Sequence, residues 1–318
     1  MAPRATRSLS HEELSRAARI LSLRSRREAT GLFAGNYTSA FRGGGLEFEE
    51  ARPYVPGDDV RTIDWNATAR SAEPFVKRFR EERNQTLLFA LDVSASMGFG
   101  SQGCAKADTA AHALALMAAA AGRAGDRTGL VAFDHRVRAR VPIGRGGGHS
   151  LQVIRTAVQA AGSSRNGTRL RVGLRAVAAS TRRRAVVVVI SDFRDPELFP
   201  ETGALQASRL GAAFGDLVSR HDVVAAVIGD PREEEIPAAG SIRLVDPEAP
   251  GRTWLLHSGS QRARERYRAA CSRRRQHINH SLRRVGVDPV WLRTDRNPLF
   301  RLGSFFHERA ARRTRGTR

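Results

Sequence analysis

The sequence predicts an α/β protein built on a doubly wound, mostly parallel sheet. Three observations lead there. From residue 86 onward, short apolar runs alternate with helical patterns, the order expected of strand–helix–strand units. The run A-V-V-V-V-I-S-D (185–192) is apolar at nearly every position, as in strands covered by helices on both faces. A second run, T-L-L-F-A-L-D (86–92), ends in an aspartate followed by V-S-A-S. That places polar side chains at the carboxyl edge, where open α/β sheets hold their ligands.

The elements follow in order. Ser10 and Glu13 form an S-x-x-E capping box, and Leu14, Ala17, Ala18 and Leu21 follow at helical spacing, so a short amphipathic helix is expected over 10–24. A glycine-rich turn (42–45) leads into L-E-F-E-E-A-R-P-Y-V-P-G-D-D-V-R-T-I-D-W, whose Pro, Gly and Asp predict extended structure broken by turns. In that block Arg52, Asp58, Asp59, Arg61, Asp64 and Arg70 alternate in sign among Phe48, Tyr54 and Trp65. Docking onto the α/β domain through charge-assisted hydrogen bonds and aromatic contacts is expected. Next come a buried helix over 105–122, a hairpin of 128–134 with 137–142, and a flexible loop G-R-G-G-G-H-S at 144–150. Helices at 150–161 and 170–180 precede the strand at 185–192; a helix at 204–219 precedes strands at 223–228 and 242–246. A long basic helix at 259–284 and a strand at 287–293 complete the pattern. The expected division is an N-terminal helix and turn-rich segment (1–84), the α/β domain (85–298) and a basic, disordered tail (299–318).

At 318 residues the chain accommodates one large α/β domain and a smaller element. Its net charge is +21, and among 53 basic residues only Lys77 and Lys106 are lysines. Such a field favours acidic partners. Two cysteines without a CxxC argue against a disulfide scaffold and a zinc site. The N-terminus lacks the apolar core of a secretory signal, and no apolar run approaches the ~18 residues of a membrane span, so a soluble cytoplasmic protein is expected.

Asp92, Ser94 and Ser96 stand at i, i+2 and i+4 at one strand end. The run ending I-S-D-F puts Asp192 at a second edge, and N-G-T-R-L puts Thr168 just before a helix. In a parallel sheet these edges face one crevice. The five side chains are all hard oxygen donors, a set that suits Mg²⁺ or Mn²⁺ and neither zinc nor copper. With only two carboxylates among them, a bound ion would keep enough charge to seek an anionic ligand.

The D-V-S-A-S turn, Thr168 and Asp192 resemble, in order and placement over residues 85–295, the metal-ion-dependent adhesion site of von Willebrand factor A (vWA) domains. The resemblance implies that Ser94, Ser96 and Thr168 are hydroxyl ligands, with Asp92 and Asp192 orienting the shell. Residues 45–70, G-L-E-F-E-E-A-R-P-Y-V-P-G-D-D-V-R-T-I-D-W-N-A-T-A-R, look like the signature of the bacterial DUF58 family. In that family the segment precedes a vWA-like domain, and the proteins commonly accompany MoxR-type AAA+ ATPases. The implied role is a metal-dependent protein-interaction module that helps such an ATPase remodel or mature a client. The partner is then the ATPase, an acidic protein ligand supplying a carboxylate, or both.

Two other classes compete. A phosphoryl-transfer site of the haloacid dehalogenase type wants a second aspartate where Ser94 sits, together with a lysine, a residue this chain barely contains. No G-x-x-x-x-G-K-[ST] or G-x-S-x-G is present, nothing pairs His112 or His149 with a nucleophile, and Cys104, near a helix start, lacks a base. No catalytic residue is assigned, and a non-enzyme is expected. The Arg-rich stretch 262–277 could track phosphates, but aromatics are only 6% of the chain and none sits in a base-stacking motif, so nucleic acid is the weaker alternative.

Overall fold

Alternate residues of the central strands belong to two different cores, and that alternation sets the layers. The computed structural model describes residues 11–41, 46–71, 73–81, 85–161, 166–199, 205, 208–246 and 251–316. Helices α1 (His11–Glu28) and α2 (Leu32–Phe41) come first. Strands β1 (Leu46–Pro53) and β2 (Phe75–Glu81) form an antiparallel ribbon whose connection carries the single-turn helix α3 (Trp65–Thr68). The α/β body contains β3 (Thr86–Asp92), α4 (Lys106–Ala124), β4 (Arg127–Phe133), β5 (Val137–Arg145), α5 (Gly147–Ala160), α6 (Leu170–Ala178), β6 (Val186–Ser191), α7 (Arg209–Arg220), β7 (Asp222–Gly229) and α8 (Pro231–Glu234). A small hairpin, β8 (Ser241–Val245) with β9 (Thr253–His257), leads to α9 (Gln261–Arg284), β10 (Asp288–Arg293) and α10 (Pro298–Gly316).

The main sheet runs β10-β7-β6-β3-β4-β5, parallel throughout except for β5 against β4. Leu87, Phe89 and Leu91 of β3 join a core with residues of α1, α2, α4, α5 and α10. Leu88 and Ala90 point the other way, to Leu170, Leu174, Phe214, Leu217, Ile278 and Leu282 of α6, α7 and α9. The period-2 alternation of a strand buried on both faces therefore appears directly. Helix α4 lies between the sheet and an outer layer, and its alanines from 107 to 121 are all buried. Small side chains let neighbouring backbones approach it from several sides.

The expected doubly wound, mostly parallel sheet is present, but three expectations need correction. The boundaries at 84 and 298 do not separate cores: Ala18, Phe33, Tyr37 and Phe41 pack in the same cluster as α4 and β3. The Tyr37 hydroxyl donates to Asp126 Oδ2 at 3.1 Å, tying α2 to the turn after α4. Residues 298–316 are a helix and not a disordered tail, and Leu302, Phe305 and Phe306 are buried. The loop expected at 144–150 shrinks to one residue, because β5 runs to Arg145 and α5 begins at Gly147. Gly146 makes the turn at φ 96°, a left-handed conformation that glycine adopts without strain.

The turn-rich block also differs from expectation. Some of its charges bond within it: Arg52 Nη2 donates to Asp58 Oδ1 at 2.6 Å, and Asp64 accepts from the amides of Asn66 and Ala67, capping α3. Trp65, expected to dock, is 72% exposed, with Val55 and Val60 also exposed. The expected capping serine, Ser10, and the glycine turn 42–45 lie outside the described residues. Among the described residues no helix is long and apolar enough to cross a membrane.

Phe306 packs its ring against Phe33, Tyr37 and Phe41 at centroid distances of 5.6, 5.9 and 5.2 Å. Phe306→Ala should therefore cost about 3–5 kcal/mol in chemical denaturation, the range for a buried aromatic truncated to alanine. Phe300→Ala, on the exposed face of the same helix, should stay within about 0.5 kcal/mol of wild type. Equal, small effects would detach α10 from the core.

Candidate metal centre

Asp92 is the last residue of β3, and the chain leaves the sheet there in a tight turn. The Ser94 amide donates to Asp92 Oδ1 at 2.9 Å, so the aspartate folds the turn that presents the serines. The amide of Ala95 donates to the carbonyl of Asn166 at 2.9 Å, which holds this turn against the loop carrying Thr168. That loop is pinned in turn by Asp195, whose Oδ2 accepts from the Leu170 amide at 2.6 Å where α6 begins. At the neighbouring edge, Ser191 ends β6 and Asp192 follows it.

All five residues singled out in the sequence are buried and brought together. The Thr168 hydroxyl lies 2.7 Å from Ser94 Oγ and 3.2 Å from Asp92 Oδ2, and Ser94 Oγ lies 3.2 Å from Ser96 Oγ. Ser96 hydrogen-bonds to Asp192. The result is one continuous polar chain, from Asp92 through Thr168, Ser94 and Ser96 to Asp192, under 5% or less residual exposure.

Five groups at this site, Ser191, Phe193, Lys106, Arg194 and Glu233, escaped the sequence reading. The Ser191 hydroxyl donates to Asp92 Oδ2 at 2.5 Å and accepts from the Phe193 amide at 2.9 Å, linking the two strand ends. Phe193 itself has φ 54°, a left-handed conformation unfavourable for a bulky residue. Its fully buried ring holds that strained turn in place, and the strain sits beside Asp192. Lys106, first residue of α4, is fully buried and donates to Asp192 Oδ2 at 2.5 Å and Glu233 Oε1 at 2.7 Å. Arg194 reaches the same two acids, with Nε 3.5 Å from Asp192 and Nη2 2.9 Å from Glu233. Lysine scarcity concealed Lys106; the useful signal was that a chain using arginine nearly everywhere keeps a lysine at a helix start.

Opposite environments separate the two aspartates. Burial, reinforced by the negative charge of Asp192, pushes Asp92 up to about 7, against hydrogen bonds from Ser191 and Ser94. Burial would also raise Asp192, but the Lys106 and Arg194 cations hold it below the ordinary carboxylate range. Cys104 has no activated thiol: burial pushes it up. His112 pairs with Glu28 at 2.8 Å and His149 with the Thr128 carbonyl at 2.9 Å, both away from this centre.

The donor set fits a hard divalent ion. Ligands at about 2.1 Å from an octahedral Mg²⁺ stand about 3.0 Å from their neighbours, and the three hydroxyls are spaced 2.7 and 3.2 Å along the chain. Among the described residues no three His, Cys, Asp or Glu side chains gather as metal ligands, so any ion here depends on the hydroxyls.

Residues 50–277 match the family described as "Protein of unknown function DUF58". Uncharacterized proteins of Mycobacterium tuberculosis and Mycobacterium bovis are 32% identical over 290 residues, covering 90% of this chain and 87% of theirs. The chain belongs to the DUF58 family. Among solved structures it is similar to a conserved hypothetical protein BatB from Bacteroides thetaiotaomicron, with 15% identity, 71% of this chain and 99% of that chain covered, and a TM-score of 0.42. An aerotolerance-related membrane protein from Bacteroides fragilis gives 20% identity, coverage of 62% and 99%, and a TM-score of 0.38. In this DUF58 protein the matched span includes β2 and the second half of β1, the serine turn, Thr168 and Asp192.

The raised Asp92 makes stability pH-dependent. A carboxyl whose folded pKa lies above its unfolded value of about 3.9 binds more protons when folded, so its contribution is present in acid and lost as pH rises through about 7. In chelator, Asp92→Asn should be more stable than wild type by about 1–3 kcal/mol at pH 8 and lose that advantage at pH 5. Denaturation curves at the two pH values check this; a variant less stable at both would show that the charged carboxylate stabilises the turn.

Proposed function

We propose that this DUF58 protein is a vWA-like, metal-dependent protein-interaction module acting in the cytoplasm with a MoxR-type AAA+ ATPase on a client protein. The observation that carries the reading is the convergence of Ser94, Ser96 and Thr168 hydroxyls between two buried aspartates at the carboxyl edge of a parallel sheet. Ser94, Ser96 and Thr168 would hold Mg²⁺ or Mn²⁺, with Asp192 beside them and Asp92 fixing the turn through Ser191 and the Ser94 amide. A bound ion would supply an open coordination position, still positively charged, for a partner's carboxylate. Neutral hydroxyls suit that task because they orient the ion without quenching its charge. The resemblance of residues 45–70 to the family signature supports the ATPase as partner.

A catalytic role has less support even though a lysine lies at the site. Asp92 is enclosed by three hydrogen bonds, from Ser191, Thr168 and the Ser94 amide, and Ser94 stands where a phosphoryl-transfer site needs an acid. Nucleic acid is also disfavoured, since Arg268 and Arg275 of the basic helix are spent on Glu235 and Glu234, and Arg274 and Arg275 stack on Phe199 and Trp291.

Retention of a MoxR-type ATPase on the immobilised chain should require Mg²⁺ and fall by about tenfold or more in Thr168→Ala, with the variant still folded. Retention indifferent to chelator and to the substitution would sink the reading; duplex binding that weakens steeply with salt would favour nucleic acid instead. The purified chain should also show no ATPase or phosphatase turnover. Turnover present in wild type and absent in Asp92→Ala would make it an enzyme.

A further inference from the structure

We propose that Lys106 is a tethered cation that competes with a divalent metal ion for Asp192, yielding the site by releasing Asp192 while its ammonium stays on Glu233. The inference rests on the metal-binding reading of the same site and adds a control element to it.

Lys106 is delivered to the centre by a shaped turn. A Cβ at Gly100 would lie 2.1 Å from the Cys104 carbonyl oxygen, so the chain there closes only with glycine. The Lys106 amide then donates to the Phe99 carbonyl at 2.9 Å, and its stem runs inward with no residual exposure. The ammonium touches Asp192 Oδ2 at 2.5 Å and Glu233 Oε1 at 2.7 Å. Glu233 is itself held in place, because Asp230 caps α8 through the Arg232 amide at 2.8 Å. With Arg194 on the same two acids, two cations face two carboxylates in a partly buried cluster whose charges balance.

Asp192 is thus claimed twice. Ser96, one of the hydroxyl donors of the candidate metal position, bonds it, and Lys106 holds its Oδ2. An ion drawing on Asp192 would share one carboxylate with an ammonium of like sign, in a water-poor interior where such repulsion is weakly screened. Metal and ammonium therefore weaken each other's hold, and by linkage the coupling is mutual. The residue type fits such a release. An ammonium is a compact charge on a flexible stem with rotatable donors, whereas a guanidinium is a rigid planar fork that re-aims less readily. This chain uses lysine at only two positions, and one of them is here.

Calorimetric titration of Mg²⁺ and of Mn²⁺ into the full-length protein, Lys106→Met and Lys106→Arg tests the proposal, with thermal unfolding to confirm the folded state. Lys106→Met keeps the stem, loses the charge and should bind either ion at least about tenfold more tightly than wild type. Lys106→Arg keeps the charge, is the variant better placed to fold, and should bind about fivefold or more weakly because its fork stays on Asp192. Affinities equal in all three proteins would overturn the role of Lys106 and leave the metal site standing. Lys106→Arg matching wild type would overturn the release of Asp192 by an ammonium that stays on Glu233. If neither wild type nor Lys106→Met binds either ion, the metal reading itself fails and this inference with it.

Discussion

Two carboxylates taken out of water at adjacent strand ends are the constraint around which the rest of the site is arranged. Parallel strands deliver their carboxyl edges to one side, so Asp92 at the end of β3 and Asp192 just after β6 meet with almost no solvent around them. An unpaired buried charge costs several kcal/mol, and the two are relieved by different means. Asp92 receives hydroxyl and amide donors, yet burial and the charge of Asp192 outweigh them and push it toward its protonated form; Asp192 receives two cations and stays ionised. The serine turn, the strained Phe193, the glycine at 100 and the capped helix α8 each place one of those donors or cations.

The sheet and the five oxygen donors were legible because both rest on short-range pattern. Strand ends with Asp and Ser at alternate positions can be read without knowing what packs on them. Lys106, Ser191 and Glu233 were not, since each comes to the centre through the tertiary fold: Lys106 from the start of a helix 86 residues before its partner Asp192. Helix α10 was hidden for another reason. Its arginines suggest a solvated tail, while Leu302, Phe305 and Phe306, spaced three and four apart, make the buried stripe that decides its fate. A basic segment with such a stripe belongs on the body, and its arginines help to hold it there. Arg309 bonds Asp288 Oδ2 at 2.5 Å and also pairs with Asp222, joining α10 to β10 and β7.

The ribbon shows how alternating charges mislead. Opposite signs in a turn-rich stretch suggested docking, yet the shortest route to satisfaction was local, Arg52 to Asp58 across a turn and Asp64 to its own helix. Satisfied in this way, those groups do not draw Trp65 inward, and its indole stays in solvent.

Charge balance at the centre also bears on what a metal ion could do there. In small zinc domains the ion neutralises its own ligands and folding waits for it. Here Lys106 and Arg194 already offset Asp192 and Glu233, and the three hydroxyls satisfy one another. The fold therefore closes on the chain's own charges, and on the proposed reading a metal ion would exchange for one of these cations instead of being a condition for folding. Such an exchange would let a site at the sheet edge change its charge toward solvent while the strands beneath it, apolar on both faces, remain as they are.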